Sequence, residues 1–193
     1  AKYKPLDIFP LDTDTVPVGY KGWLLFLDEI NSAPLSVQAA SYKLALDRMV
    51  GSHKLHPKVA IGCAGNLSTD GAIVNRLSTA MQSRLIHYEL SVDWQVWSNW
   101  ASTNKLAMEV ISYINHAPDK LHVFDPNHND HTFSCPRTWH FASNIMLHKG
   151  MSIEDKRPSL AGCLGEGISH EFITYCEVYK HIPTYAQIKL DPK

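Results

Sequence analysis

The first half of the chain contains three short segments whose apolar residues are spaced as in β-strands. Trp23–Leu27 (WLLFL) and Lys58–Ala64 (KVAIGCA) are nearly continuous apolar runs, the pattern of strands that are buried on both faces. Leu85–Leu90 (LIHYEL) alternates between apolar and polar positions, as a third strand would. We therefore predict three strands before residue 91.

Helical spacing separates these predicted strands. In residues 32–50, apolar side chains recur every three or four positions, and Ser32 and Pro34 stand where an N-cap and a first turn are expected. Residues 70–83 are also predicted to be helical. The order β-α-β-α-β favours a three-layer α/β fold, in which a doubly wound parallel sheet carries helices on both faces.

The second half of the chain shows helical patterns only. The predicted helices span residues 93–103, 106–116, 136–149 and 158–181. Asp93 opens the first of them as an N-cap candidate, and no strand pattern interrupts the series. We therefore predict two domains, an α/β domain at 1–91 and a small all-helical domain at 92–193.

The composition is that of an ordinary globular protein. The 193 residues are 45% hydrophobic and 19% charged, and the net charge of −1 favours neither nucleic acid nor a membrane as a partner. The longest apolar run is far shorter than a membrane span, and the N-terminus lacks a signal-peptide pattern. The four cysteines lie far apart, which predicts reduced thiols and a cytoplasmic protein.

The first predicted strand ends in two adjacent acids, Asp28 and Glu29. Ligands of open parallel sheets bind at the carboxyl ends of the strands, and nucleotide hydrolysis needs one group to hold Mg²⁺ and another to act on the attacking water. The alternative is that both acids only stabilise the following helix, because negative charges interact favourably with the positive N-terminal end of the helix dipole. The acid pair alone leaves both interpretations open.

Four further residues accompany the acid pair. Asn66 follows the second predicted strand, so its amide should lie at the same edge of the sheet, although Gly-Asn is also a common turn. Arg76 and Arg84 precede the third predicted strand, and Arg137 begins a predicted helix. Lone arginines are usually solvated surface residues, so their order relative to the acids carries the argument.

That order resembles the motif order of AAA+ ATPases. "LLFLDEIN" is similar to Walker B, "GCAGN" to sensor 1, "MQSRL" to the arginine-finger segment and "CPRTW" to sensor 2. The chain most resembles the MoxR branch, with its "FLDEIN.AP..VQ..L" pattern and a glycine-rich helical tail similar to "LAGCLGEGISHEF". The resemblance covers residues 20–180 and implies an incomplete AAA+ core followed by a helical lid.

The resemblance implies roles for the residues at the sheet edge. Asp28 would hold Mg²⁺ through its water shell, and Glu29 would activate the water that attacks the γ-phosphate of ATP. Asn66 would position that water and sense the γ-phosphate. The cofactors implied are ATP and Mg²⁺.

The resemblance also implies roles for the arginines and for assembly. Arg84 would act as an arginine finger at a neighbouring subunit's nucleotide, and Arg137 would contact the phosphates from the lid. Arg76 would be a second trans-acting arginine or a structural one. The implied assembly is a homo-oligomeric, hexameric ring that remodels a protein substrate beside a von Willebrand A-type partner.

One AAA+ motif has no counterpart in residues 1–193. No segment matches G-x-x-x-x-G-K-[ST], the loop that holds the β- and γ-phosphates. The chain is then either the C-terminal part of a larger ATPase or a degenerate module that does not hydrolyse ATP. Because the other motifs keep the expected residue types, we expect a fragment whose sheet lacks its central strand and which alone binds ATP weakly.

Two other interpretations of the sequence concern metals and partners. A zinc set could be drawn from His122, His128, His131 and Cys135, but their spacing fits no zinc signature, and a polar loop is favoured. The three tryptophans at 94, 97 and 100 lie on one helical face and are expected to pack the lid rather than to bind nucleic acid. A non-catalytic interaction or regulatory module remains the alternative function.

Overall fold

The computed structural model describes residues 7–67, 75, 77–127 and 130–179. The chain forms two units, Ala1–Tyr88 and Glu89–Lys193, which divide close to the point where the sequence changes character. The first unit contains β1 (Trp23–Leu27), α1 (Leu35–Leu46), β2 (Met49–Val50), β3 (His53–Lys54), β4 (Val59–Cys63) and α2 (Thr79–Gln82). The second contains α3 (Trp94–Thr103), α4 (Met108–His116), a 3-10 turn (Pro118–Leu121), α5 (Pro136–Leu147), α6 (Ile153–Leu164) and α7 (Glu166–Tyr179).

The sheet of the first unit confirms two of the predicted strands. β1 and β4 pair in parallel, with Trp23 opposite Val59 and Leu27 opposite Cys63, so their carboxyl ends lie at the same edge. Gly22 allows β4 to start this close, because a Cβ at that position would overlap the Lys58 carbonyl oxygen. β2 and β3 form a separate short antiparallel hairpin between α1 and β4. The chain is therefore mixed α/β, as predicted.

The described residues cover one face of the β1–β4 sheet. Trp23, Leu25 and Leu27 point to the covered face, where they pack with a small buried cluster that includes Leu44 of α1. The alternate residues on β1 face outward, and Leu24 and Phe26 are 68% and 55% exposed. Among the described residues, the sheet therefore has one helical layer and not the predicted two.

Helix α1 starts later than predicted. Its N-cap is Pro34, which has no side-chain cap, and the predicted cap Ser32 instead donates its backbone N–H to the Glu29 carbonyl at 2.9 Å. Ser32 thus belongs to the turn that leaves β1. Prolines are well tolerated at helix starts, because the first N–H groups have no partner within the helix.

The prediction of a third strand at residues 85–90 is wrong. The segment belongs to no strand in the structure, and Ile86, Tyr88 and Leu90 are 81%, 83% and 95% exposed. Alternating apolar residues give a strand one apolar face, but the backbone groups of a strand also need a partner strand, and no described segment pairs with residues 85–90. Of the helix predicted at 70–83, Thr79–Gln82 is helical, whereas residues 75, 77, 78 and 83 are not; residues 70–74 and 76 lie outside the described part.

The second unit is built from helices around an aromatic core. Trp139 of α5 is fully buried and contacts Tyr113 of α4 and Phe172 of α7, with ring centroids 5.4 Å apart in both pairs. Its indole N–H donates to the Lys120 carbonyl at 2.9 Å, so the polar atom of this large side chain is satisfied. One indole thereby joins α4, α5, α7 and the 3-10 turn.

The helix predicted at 158–181 is two helices. Gly165 ends α6 with φ of 83°, a left-handed conformation that favours glycine, and α7 starts at the next residue. α6 also starts before its predicted position, because Ser152 and Asp155 form a reciprocal capping box at its N-terminus.

Helix α3 has the predicted N-cap, but its tryptophans are less buried than predicted. The Asp93 carboxylate accepts hydrogen bonds from the backbone N–H groups of Gln95 and Val96, as an N-cap does. Trp97 is buried, whereas Trp94 and Trp100 are 36% and 43% exposed, so only one of the three tryptophans is part of the core. Within the described ranges, every helix is too short or too polar to cross a bilayer.

Candidate active site

The segments that follow β1 and β4 lie side by side at the carboxyl edge of the sheet. The Ala64 N–H donates to the Leu27 carbonyl at 2.9 Å, and the Ile30 N–H donates to the Ala64 carbonyl at 3.0 Å. These bonds continue the parallel ladder beyond the strands. They bring the residues after Leu27 next to the residues after Ala64, as the sequence predicted for Asp28, Glu29 and Asn66.

Asn31 fixes the segment that contains Asn66. The Asn31 Nδ2 donates to the Asn66 carbonyl at 2.7 Å, and the Asn31 Oδ1 accepts from the Asn66 N–H at 3.2 Å. Both bonds involve the backbone of Asn66, so its side-chain amide keeps its own donors and acceptor, with no hydrogen bond to the described part of the chain. Residue 65 must be small, because a Cβ on Gly65 would overlap Asn31 Oδ1 and lie 2.8 Å from its Cγ.

Asp28 and Glu29 form an exposed turn at this edge. The Asp28 Oδ1 accepts a hydrogen bond from the Glu29 N–H at 3.0 Å, and both side chains are exposed. Glu29 has φ of 52°, which is uncommon outside glycine and costs on the order of 1–3 kcal/mol. Neither carboxylate pairs with a cation among the described residues, so both can serve an external group.

This donor set suits a hydrated Mg²⁺. Carboxylate oxygens are the ligands that Mg²⁺ prefers, and the ion usually keeps several waters and takes one or two carboxylates together with phosphate oxygens. Asp28 would hold such an ion, and the neighbouring Glu29 and Asn66 offer an acceptor and an amide for a water. Cys63, the last residue of β4, is no competing nucleophile at neutral pH, because burial raises the pKa of its thiol.

Arg84 follows α2, and its guanidinium folds back on that helix. Nη1 donates to the Ala80 carbonyl at 2.9 Å and to Ser83 Oγ at 3.3 Å, and the side chain is exposed without an ion pair in the described chain. An arginine that serves a neighbouring subunit would need to be exposed in this way. The other arginine candidate of this region, Arg76, lies outside the described residues.

Arg137 belongs to the second unit, where it is the second residue of α5. Its side chain is exposed, and the described residues provide no acidic partner for it. A cation is unfavourable in the first turn of a helix, where the macrodipole is positive. Helix stability therefore does not explain Arg137, whereas an anionic ligand at this helix end would.

The histidine-rich loop before α5 brings no metal-binding group together within the described residues. His122 lies against the aromatic rings of Phe124 and Phe133, with centroids 6.3 Å away in both cases. His128, another member of the possible zinc set, is outside the described part. The neighbouring Cys135 is the N-cap of α5.

Two residues that organise the edge were not predicted. Asn31 joins two turns across 35 residues of sequence, and the Asn75 N–H donates to the Asn31 carbonyl at 2.7 Å while its side chain donates to Ala33 at 3.0 Å. Asn31 is part of the "DEIN" motif, in which the two acids carry the sequence prediction. Gly65, just before Asn66, is the one feature of the sequence that points to this contact, because a glycine at the end of a strand often marks a position that another group approaches closely.

Comparison of the chain with protein-family models, curated proteins and solved structures gives no match.

Proposed function

We propose that the chain supplies the Walker B, sensor 1, arginine-finger and sensor 2 elements for Mg²⁺-dependent ATP hydrolysis by a ring-forming AAA+ ATPase of MoxR type. The observation that carries the proposal is the joined carboxyl edge of β1 and β4. The segment with Asp28 and Glu29 runs beside the segment with Asn66 there, and Asn31 holds the Asn66 backbone; within the described residues neither carboxylate forms an ion pair. Residues 1–193 contain no phosphate-binding loop, so hydrolysis requires that loop from sequence outside this range or from another polypeptide.

Each residue has a chemical role in this proposal. Asp28 holds the hydrated Mg²⁺ that neutralises the phosphates, and Glu29 accepts the proton of the attacking water, with Asn66 orienting that water. Arg84 donates to the γ-phosphate bound by the neighbouring subunit, and Arg137 stabilises phosphate charge from the helical unit. The hydrolysis drives remodelling of a protein partner.

The test uses the protein that carries this chain together with its phosphate-binding loop. Glu29→Gln keeps the shape of the side chain but removes the base, so we expect ATP binding to remain while turnover falls by about 10²-fold or more. Asp47→Asn is the matched control, since Asp47 is an exposed acid at the end of α1, away from the sheet edge. Normal turnover in Glu29→Gln would refute the proposed role.

Mixing two inactive variants tests the trans role of Arg84. Arg84→Ala alone should lower turnover by about 10³-fold, because it removes the finger from every interface. Rings assembled from Arg84→Ala and Glu29→Gln subunits contain some interfaces with both residues intact, so mixing should restore part of the activity. If mixing restores nothing while the rings form normally, Arg84 acts within its own subunit or not at all.

The uncovered apolar face of β1 favours a second candidate function, a non-catalytic interaction module. Leu24 and Phe26 would then form part of the contact with a partner. The two functions respond to different variants. Loss of biological activity in Phe26→Asp but not in Glu29→Gln would favour the interaction module, and the reverse result would favour the ATPase.

A further inference from the structure

The second unit contains a cavity of about 340 Å³ that the proposed ATPase residues do not use. One wall is formed by residues that precede α5, namely Val123, Asp125, Asp130, Thr132, Phe133 and Ser134, and the other is the junction between α6 and α7. The volume lies within the range of small-molecule sites in proteins. Its lining therefore indicates what kind of group it can hold.

The cavity combines an apolar surface with an acidic one. Leu164, Ile168, Val123 and Phe133 supply the apolar part. The acidic residues that line it are Asp125, Asp130, Glu166 and Glu171, and none of its described lining residues is a lysine, arginine or histidine.

Three of these four acids form no ion pair with the described residues. Glu171 is 3.2 Å from the Lys120 ammonium and accepts a hydrogen bond from the Tyr113 hydroxyl, also at 3.2 Å. The carboxylates of Asp125, Asp130 and Glu166 form no ion pair within the described chain. The dipole of α7 accounts for an acid at Glu166, and Asp125 accepts a turn hydrogen bond from the Asn127 N–H at 2.8 Å, but neither reason applies to Asp130 on the opposite wall.

Ser134 is an independent sign of a missing partner. It lines the cavity and is 1% exposed, and its hydroxyl has no hydrogen-bond partner in the described chain. The nearby Thr132 hydroxyl, by contrast, donates to the Cys163 carbonyl at 3.0 Å. Buried hydroxyls are nearly always hydrogen-bonded, so Ser134 indicates that a polar group enters here.

The arrangement of the acids distinguishes a metal ion from an organic cation. Among the described residues, no three acids, histidines or cysteines converge closely enough to hold a metal ion. Carboxylates spread around a cavity with an apolar wall instead suit a cation that has several N–H donors on an aliphatic stem. We propose that this cavity binds an alkylammonium or alkylguanidinium group, with its stem along Leu164 and Ile168 and its N–H donors directed to Asp130, Glu166 and Ser134.

Calorimetric titration of the 193-residue chain tests the proposal with two probes. Agmatine represents a free polyamine-like ligand, and the blocked tripeptide acetyl-Gly-Arg-Gly-amide represents an arginine side chain of another protein. We expect saturable binding that weakens as salt rises, because exposed charges are screened. Tighter binding of agmatine would show that the cationic group comes from a free metabolite. Tighter binding of the tripeptide would show that it comes from an arginine side chain of another protein.

Charge-matched variants locate the binding. Glu166→Gln and Asp130→Asn should each weaken the better probe by about threefold or more. Glu177→Gln is the control, because it removes the same charge from an exposed position of α7 outside the cavity, and it should leave affinity unchanged. Equal losses in Glu166→Gln and Glu177→Gln would mean that only net charge matters and would overturn the proposal.

Ser134→Ala separates a binding role from a structural one. Removing a buried hydroxyl that has no partner should raise the melting temperature of the free protein, while the affinity for the probe should fall. A variant with unchanged affinity would exclude Ser134 from the site. Absence of saturable binding of either probe up to about 10 mM would overturn the whole proposal.

Discussion

The two units of the chain differ in how completely each covers its own apolar surface. Among the described residues, sixteen buried side chains form the hydrophobic cluster of the second unit, whereas four form that of the first unit. The first unit also exposes more than half of Leu24, Phe26 and Ile86, all of which are large apolar side chains. Burial of apolar surface is the main favourable term in folding, so the second unit holds most of the stability.

The difference follows from the elements used. An α-helix satisfies its interior backbone groups within itself and needs only one covered stripe. A strand depends on neighbours for its hydrogen bonds, and the β1–β4 pair has two outer edges that no described strand occupies. Two strands are too few for independent stability without further packing. The first unit therefore needs added contacts that the second does not.

Separating the units should have the largest effect. We expect residues 89–193 to fold alone and unfold cooperatively, and residues 1–88 alone to be largely unfolded or aggregated, because their sheet is open at both edges. Circular dichroism and urea titration of the two fragments check this. A cooperative transition for residues 1–88 as a monomer would show that the exposed sheet is stable without added contacts.

Trp139→Ala should be the most damaging single substitution in the second unit. It removes a fully buried indole and its hydrogen bond to Lys120, at a cost of about 3–5 kcal/mol in the free energy of unfolding. Phe26→Ala is the counterpart in the first unit and should change that free energy by less than about 1 kcal/mol. Similar losses for both would mean that Phe26 is covered in solution.

Two glycine substitutions should have opposite signs. Gly65→Ala forces a Cβ against Asn31 and should destabilise the first unit by about 1–3 kcal/mol. Gly162→Ala places a Cβ in open space on α6 and should stabilise the second unit by about 0.5–1 kcal/mol. Hydrogen exchange, resolved by peptide, measures both effects. A neutral Gly65→Ala would mean that Asn31 does not hold the sheet edge.

The thiols should show the smallest effect. Burial raises the pKa of Cys163 from 9.0 to about 11, so its thiolate fraction at pH 8 is about one hundredth of that in the unfolded chain. As the pH rises, the Cys163 thiol stays protonated to a higher pH in the folded state than in the unfolded state. Its contribution to the free energy of unfolding is therefore complete below pH about 9 and is lost between pH about 9 and 11.

Alkylation with iodoacetamide, followed by mass spectrometry, measures this protection. Burial also raises the pKa of Cys63 in the first unit, but that unit should open more often, so Cys63 should react faster than Cys163 in the folded protein. In urea the two should react at the same rate. Faster reaction at Cys163 would reverse the order of stability inferred for the two units.

Local patterns predicted some elements and missed others. The Asp93 cap of α3 corresponds to the structure because side-chain capping acts within a few residues, whereas the predicted cap at Ser32 does not form. β1 and β4 depend on each other as partners, and both were predicted because each carries a nearly continuous apolar run. Residues 85–90 were assigned wrongly because a strand depends on a partner, which alternation does not reveal. The break at Gly165 had a local signal, a glycine in a helical pattern, but glycine is also tolerated inside helices.

The candidate site was partly predictable for the same reason. The side-by-side course of the segments that carry Asp28, Glu29 and Asn66 follows from a parallel pairing of two neighbouring strands, which the apolar runs indicate. The role of Asn31 is not predictable in this way, because its partner lies 35 residues away and the contact depends on the exact register. The hydrogen bonds between Asn31 and Asn66 are visible only in the atomic positions of the folded chain.

The parallel pairing of β1 with β4 also affects the order in which the chain folds. Leu25 pairs with Ile61, so the chain must close a long crossover before the ladder contributes any hydrogen bond. In the second unit, α6 packs on its sequence neighbour α7, and α3 packs on α4, which are contacts of low contact order. We therefore expect that the first unit leaves the ribosome first but completes its fold last. During that interval its apolar strands depend on chaperones or on a binding partner to avoid aggregation.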